Sequence, residues 1–242
     1  MTTTSAGWLT AAVLALTLTA CAPTKVRPTG AASTDPLPRP DMVLVYDFAV
    51  SPEQVSLNRG LFARLGRDVS PATATEDEAR VGREVAEGFA VELVKRIQRL
   101  GLPAERAAAG QAAPAGSLAI TGQFLSIDEG NRTERVVLGL GTGRTSVQAN
   151  VQLYELTAQG MTTIDKLQAD AKSGYKPGMA LMLGVGGLAG NLVTSAVISG
   201  VTTTGSELSW ATVDADGKRL ANEVAKNLGK FFVAQGWIAS AD

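Results

Sequence analysis

A chain of 242 residues with 22 Lys and Arg against 23 Asp and Glu has a formal net charge of −1, so it carries no basic field for nucleic acid and no acidic tail. It contains no histidine and one cysteine, which removes the commonest general base, the commonest metal ligand and any intramolecular disulfide. Ser-His-Asp, Cys-His and His-based zinc chemistry are therefore excluded, whereas an enzyme built on Glu, Asp and Lys alone is not.

The first element is an uncharged run from Trp8 to Ala20 that closes on Leu18-Thr19-Ala20-Cys21. This is the pattern of a bacterial lipoprotein signal peptide, with residues 1–20 removed and a diacylglycerol placed on the sulfur of Cys21. Stable anchoring needs more than one acyl chain, which a fully acylated cysteine (diacylglycerol plus palmitate) supplies. Met1 to Gly7 has no Lys or Arg, so the positive charge ahead of the run is the α-amino group alone. Ala22 and Pro23 follow the cysteine, with no Asp directly after it, which points to the outer membrane of a Gram-negative host and a domain in the periplasm. The bland alternative is an ordinary buried cysteine.

Residues 21–41 are rich in Ala, Pro, Thr and Ser and poor in large apolar groups. Such a composition cannot offset the entropy of ordering, and the stretch reads as a disordered tether, extended by its prolines, at roughly 3 Å per residue. A single domain is expected over 42–242.

Met42 to Val50 is apolar and β-branched and predicts a buried first strand. Ser51 to Ala74 has no clean period and reads as loop. Thr75-Glu76-Asp77-Glu78 predicts a helix start through a capping box. Val85, Ala86, Phe89, Leu93, Val94, Ile97 and Leu100 then occupy one face, and Gly101 with Pro103 ends the helix. Leu118 to Ile127 is a second strand. Thr145 to Leu156 alternates strictly, with Val147, Ala149, Val151 and Leu153 facing a core and Ser146, Gln148, Asn150 and Gln152 facing water. Thr162 to Ser173 is its more weakly patterned hairpin partner. Leu220, Val224, Leu228, Phe231 and Phe232 mark a last helix ending near Gly236, with Trp237 and Ile238 packing it down. The order predicts an α/β (α+β) fold: a mixed, largely antiparallel sheet, two amphipathic helices on it, and a Gly-rich apolar insertion over 177–204.

Three stretches could carry chemistry or contacts. Glu129-Gly130-Asn131-Arg132 leads into Gly139, Gly141 and Gly143, but a phosphate loop feeds a helix and ends in Gly-Lys-Ser/Thr, and here a strand follows. The glycines read instead as a face stripped of side chains, either for a close-approaching backbone or subunit or simply as a twisted edge hairpin. Met179 to Gly200 has no charge and is long enough for a span, and Gly186-x-x-x-Gly190 offers a close-packing face. An interface or membrane-contacting insertion, a buried helix and a single span all fit this stretch, and the lack of aromatic or basic anchors at its far edge favours burial in the domain or in an oligomer. Asp214-Ala215-Asp216-Gly217 resembles the start of a calcium loop but lacks the closing Glu, so it reads as a turn with acids at the start of a helix.

The lipobox, the strand Val43 to Phe48, Gly122-x-Phe124, Glu129-Gly130-Asn131-Arg132, the Gly139-x-Gly141-x-Gly143 hairpin and the ending Gly236-Trp237 together resemble the bacterial lipoproteins of domain of unknown function 4410. The resemblance spans roughly residues 42–238 and brings no established activity with it. More remotely, the element order is similar to the lipoprotein that forms the curli secretion pore. That similarity implies a periplasmic α/β domain able to form rings. Unlike that pore protein, this chain has no pair of ~10-residue membrane strands around Arg135 to Leu156.

These readings converge on a non-enzymatic, lipid-anchored envelope protein. It would act by self-assembly or within an export or surface complex, with Gly139, Gly141, Gly143, Gly186 and Gly190 as interface candidates. No catalytic residue, metal, cofactor, small-molecule substrate or nucleic acid is expected. The alternative is a monomeric binding or regulatory module tethered to the outer membrane.

Overall fold

The computed structural model describes residues 24–30, 32–57, 71–108, 110–130, 144–172 and 205–241. Side chains are described from 75 in the first helix and from 213 in the second. The strands are β1 (Thr24–Pro28), β2 (Val43–Tyr46), β3 (Val55–Ser56), β4 (Ala104–Ala107), β5 (Leu118–Asp128), β6 (Ser146–Thr157) and β7 (Gly160–Lys172). The helices are α1 (Pro71–Arg99) and α2 (Gly205–Ala234). The sheet runs β1-β7-β6-β5-β2-β4, with β3 added beside β5. β5, β6 and β7 form an antiparallel meander, β1 joins β7 antiparallel, and β2 pairs parallel with both β4 and β5. This is a mixed, largely antiparallel α+β fold.

Strand alternation decides which face is buried. Val147, Ala149, Val151 and Leu153 of β6 are at most 1% exposed, while Ser146, Gln148, Asn150 and Gln152 between them stay partly wet. Phe89, Leu93 and Ile97 of α1 and Leu220, Val224 and Leu228 of α2 join the same core, so both helices cover one face. The other face is open along β1, β6 and β7 but buries Leu44, Ala107 and Ala119 at β2, β4 and the start of β5. The two helices end alike. The Gly101 and Gly236 amides donate to the Gln98 and Val233 carbonyls, both glycines at positive φ (92° and 72°). The Leu102 and Trp237 amides reach back to Ile97 and Phe232, and both following side chains are buried. That is the Schellman arrangement, which needs a residue tolerant of left-handed backbone and an apolar residue after it.

Several expectations are corrected. α1 starts at Pro71, so Thr75 lies inside the helix and does not cap it; proline costs nothing in a first turn whose amides lack intrahelical partners. α2 starts at Gly205 and runs through Val213 to Lys218, so Asp214-Ala215-Asp216-Gly217 is helix and not a turn. Gly217 is there for proximity: a Cβ would sit 3.3 Å from Val85 Cγ1 and 3.7 Å from the Val85 carbonyl oxygen of α1.

Part of the stretch expected as a disordered tether is also ordered. Thr24–Pro28 is β1, in register from Thr24 opposite Ala171 to Pro28 opposite Leu167. The Leu37 amide donates to Gln235 Oε1 (2.9 Å), Gln235 Nε2 to the Asp35 carbonyl (3.2 Å), and Trp237 Nε1 to the Leu37 carbonyl (3.1 Å). Low local hydrophobicity is overridden here by partners about 200 residues away in the chain.

Candidate functional site

Buried ionisable groups are expensive unless partnered, so they mark where the fold spends stability on something specific. At the end of β5, the start of β6 and the inner face of α2, Glu129, Thr145 and Asp216 are all fully buried. Asp216 shares the apolar stripe of α2 with Val213 and Leu220. Thr145 Oγ1 donates to its Oδ2, and Arg219, three residues on, pairs its guanidinium with Oδ1. Burial holds the Arg219 guanidinium below its ordinary pKa. Through Thr145, Asp216 pins α2 to the residue just before β6, while its Oδ1 ion-pairs within the helix.

A second cluster lies at the carboxyl ends of β2 and β4, where parallel strands commonly present ligand sites. Arg106 Nε donates to Asp47 Oδ1 (2.5 Å) and Nη1 to Glu87 Oε1 (3.0 Å). The bond to Asp47 is the main cause raising the Arg106 pKa above its ordinary value, against some desolvation. Both carboxylates are therefore held as counter-ions to one cation.

The third group is Asp165 of β7. Ile164 is the extra residue where the β6–β7 register shifts, and Asp165 then faces Leu153 on the core side. It is 8% exposed. Desolvation pushes its pKa up, opposed by the Lys166 amide that donates to Oδ1 at 2.7 Å.

The open face of the sheet forms cross-strand rows. Gln123, Asn150, Gln168 and Arg27 lie opposite one another across β5, β6, β7 and β1, and Lys25 lies opposite Asp170. Along β6, β7 and β1 this face carries amides and hydroxyls and becomes basic toward β1.

Leu18, Thr19, Ala20, Cys21, Gly139, Gly141, Gly143, Gly186 and Gly190 all lie outside the described residues. Asp214 makes an exposed ion pair with Lys218 at 2.6 Å. Among the described residues, no group of three His, Cys, Asp or Glu is placed to hold a metal ion, and no helix is long and apolar enough to cross a membrane. Asp216 and Asp165 were missed as buried groups, although the signal was present. Counting Val213, Asp216, Leu220 and Val224 at helical spacing, or Asp165, Leu167, Ala169 and Ala171 at strand spacing, puts each acid on the core face.

The family model described as a domain of unknown function (DUF4410) matches residues 43–235. No curated protein matches the chain. Among solved structures the chain is similar to the PelC dodecamer from Paraburkholderia phytofirmans, with 12% identity and a TM-score of 0.37 over 83% of this chain and 95% of that one. It is also similar to the hypothetical protein CT253 from Chlamydia trachomatis, with 12% identity and a TM-score of 0.37 over 80% of this chain and 98% of that one.

Proposed function

The chain belongs to the domain of unknown function 4410 family, and on that footing we propose that it is a non-enzymatic envelope protein held to the outer membrane through Cys21. Its domain lies in the periplasm and acts by assembling with itself or within an export or surface complex. The observation that carries the reading is Leu18-Thr19-Ala20-Cys21 at the end of an uncharged run, with the only thiol of the chain at its last position. The absence of histidine from the sequence supports a non-catalytic role. So do the buried acid Asp216, already hydrogen-bonded by Thr145 and ion-paired with Arg219, and the pairing of Asp47 and Glu87 with Arg106.

Self-assembly is supported by the charge-free stretch Met179 to Gly200, which needs shelter from water, and by its Gly186-x-x-x-Gly190 face. One observation favours a monomeric tethered module instead: among the described residues the large exposed apolar side chains are only Val91, Met161 and Val233, too few and too scattered for an obligate interface. Cross-linking and sizing of the detergent-extracted protein separates the two. A multimer that Gly190→Leu reduces to a monomer supports assembly. A monomer at every concentration overturns it in favour of the tethered module.

A further inference from the structure

We propose that the open face of the β1–β7 edge docks on the anionic headgroups of the bilayer that holds the protein; this rests on the reading of Cys21 as the lipid attachment point. Only Ala22 and Pro23 separate Cys21 from Thr24, the first residue of β1. A residue spans at most ~3.6 Å, so an acylated Cys21 keeps the start of β1 within about 11 Å of the headgroup layer. That distance is close to the Debye length of about 8–10 Å, within which surface charges still act. The order of β1 matters here. With a free tether the domain would sample every orientation, whereas a strand starting three residues from the lipid presents one sheet edge to the membrane.

That edge has the matching charge. Lys25 and Arg27 alternate with Thr24 and Val26, which lie opposite the buried Ala171 and Ala169. Lys25 and Arg27 therefore stand on the open face, opposite Asp170 and Gln168. Lys166, Gln168 and Lys172 of β7 share this face by strand alternation, and all of them are exposed. The one carboxylate in the group, Asp170, lies 3.6 Å from Lys172. On β1 and β7, Lys25, Arg27, Lys166 and Lys172 thus face Asp170 alone, with Asp128 of β5 farther along the row of Lys172 beyond Ser146, in a chain whose formal net charge is −1. No large apolar side chain stands among them, so the patch suits phosphate groups at the surface and not insertion among acyl chains. A second copy of the chain is the weaker occupant, since edge-to-edge pairing of β1 with itself would bring Lys25 and Arg27 against their own like charges.

The test uses the full chain, extracted from membranes and reconstituted in phosphatidylglycerol–phosphatidylcholine vesicles. Acylation of Cys21 leaves an introduced cysteine as the sole thiol, so Gln168→Cys and Glu105→Cys can each be labelled with a fluorophore. Glu105 is exposed on β4, the far edge of the same sheet. Spin-labelled headgroups should quench the label at 168 several-fold more than at 105. Lys25→Glu with Arg27→Glu should erase that difference while the protein still floats with the vesicles. Equal quenching at both positions in a protein that floats overturns the docking face and leaves the anchor standing. Dye uptake by Cys21 itself, in a protein that does not float, overturns the anchor and the docking with it.

Discussion

Gly122 and Phe48 show how one small side chain organises a core. A Cβ on Gly122 would overlap the Asn150 carbonyl oxygen and the Phe48 ring, so the ring lies over bare backbone in mid-strand. From there Phe48 contacts Phe89 at 4.7 Å and Phe124 at 5.9 Å between centroids, and Phe89 meets Phe124 edge-on at 5.7 Å. Gly122→Ala should cost roughly 1–3 kcal/mol through overpacking, read as a lowered denaturation midpoint at unchanged slope. Asp165 behaves in the opposite sense. Its folded-state pKa is raised by burial, so protonation favours the fold, and stability falls as pH rises from the unfolded value through the folded one. Asp165→Asn carries no charge at any pH and still accepts the Lys166 amide. It should melt above wild type at about pH 7, with the gain shrinking toward about pH 3 as the wild-type carboxyl protonates. A gain that grows on acidification would reverse the sign assigned to this group.

The long elements were legible because their periods are local. β5, β6 and β7 and the core faces of α1 and α2 follow from alternation or helical spacing within a dozen residues. β2 was legible from its unbroken apolar run, but the short edge strands were not, because their partners are remote. β1 and β4 are edge strands, whose own residues, such as Thr24, Lys25 and Arg27 or Glu105 and Arg106, say little about burial. Asp214-Ala215-Asp216-Gly217 misled for a related reason: Asp and Gly favour turns by themselves, and only the buried partners Thr145 and Val85 explain them inside a helix. The α1 face offers a direct check. Phe89, Leu93 and Ile97 are fully buried, and Phe89→Ala should lower stability by roughly 3–5 kcal/mol. A midpoint within error of wild type would show that α1 does not dock through this face.

Taken together, the two-layer domain joins an N-terminal edge strand to the end of its last helix. β1 pairs with β7, and Gln235 and Trp237 bind the backbone at Asp35 and Leu37. The chain after Cys21 is therefore built into the domain soon after it begins, and an anchor there positions the sheet as well as retaining it. The candidate site was legible only as a motif. Leu18 to Cys21 is read from residue type and order, and no period or contact in the described domain reports on it. Intact-mass analysis of the chain extracted from membranes tests the account most directly. It should give a polypeptide that starts at Cys21 and carries a diacylglyceryl group and an amide-linked acyl chain, both missing when Cys21→Ser is expressed. A chain that still begins at Met1, or one with an unmodified thiol at Cys21, would contradict the account.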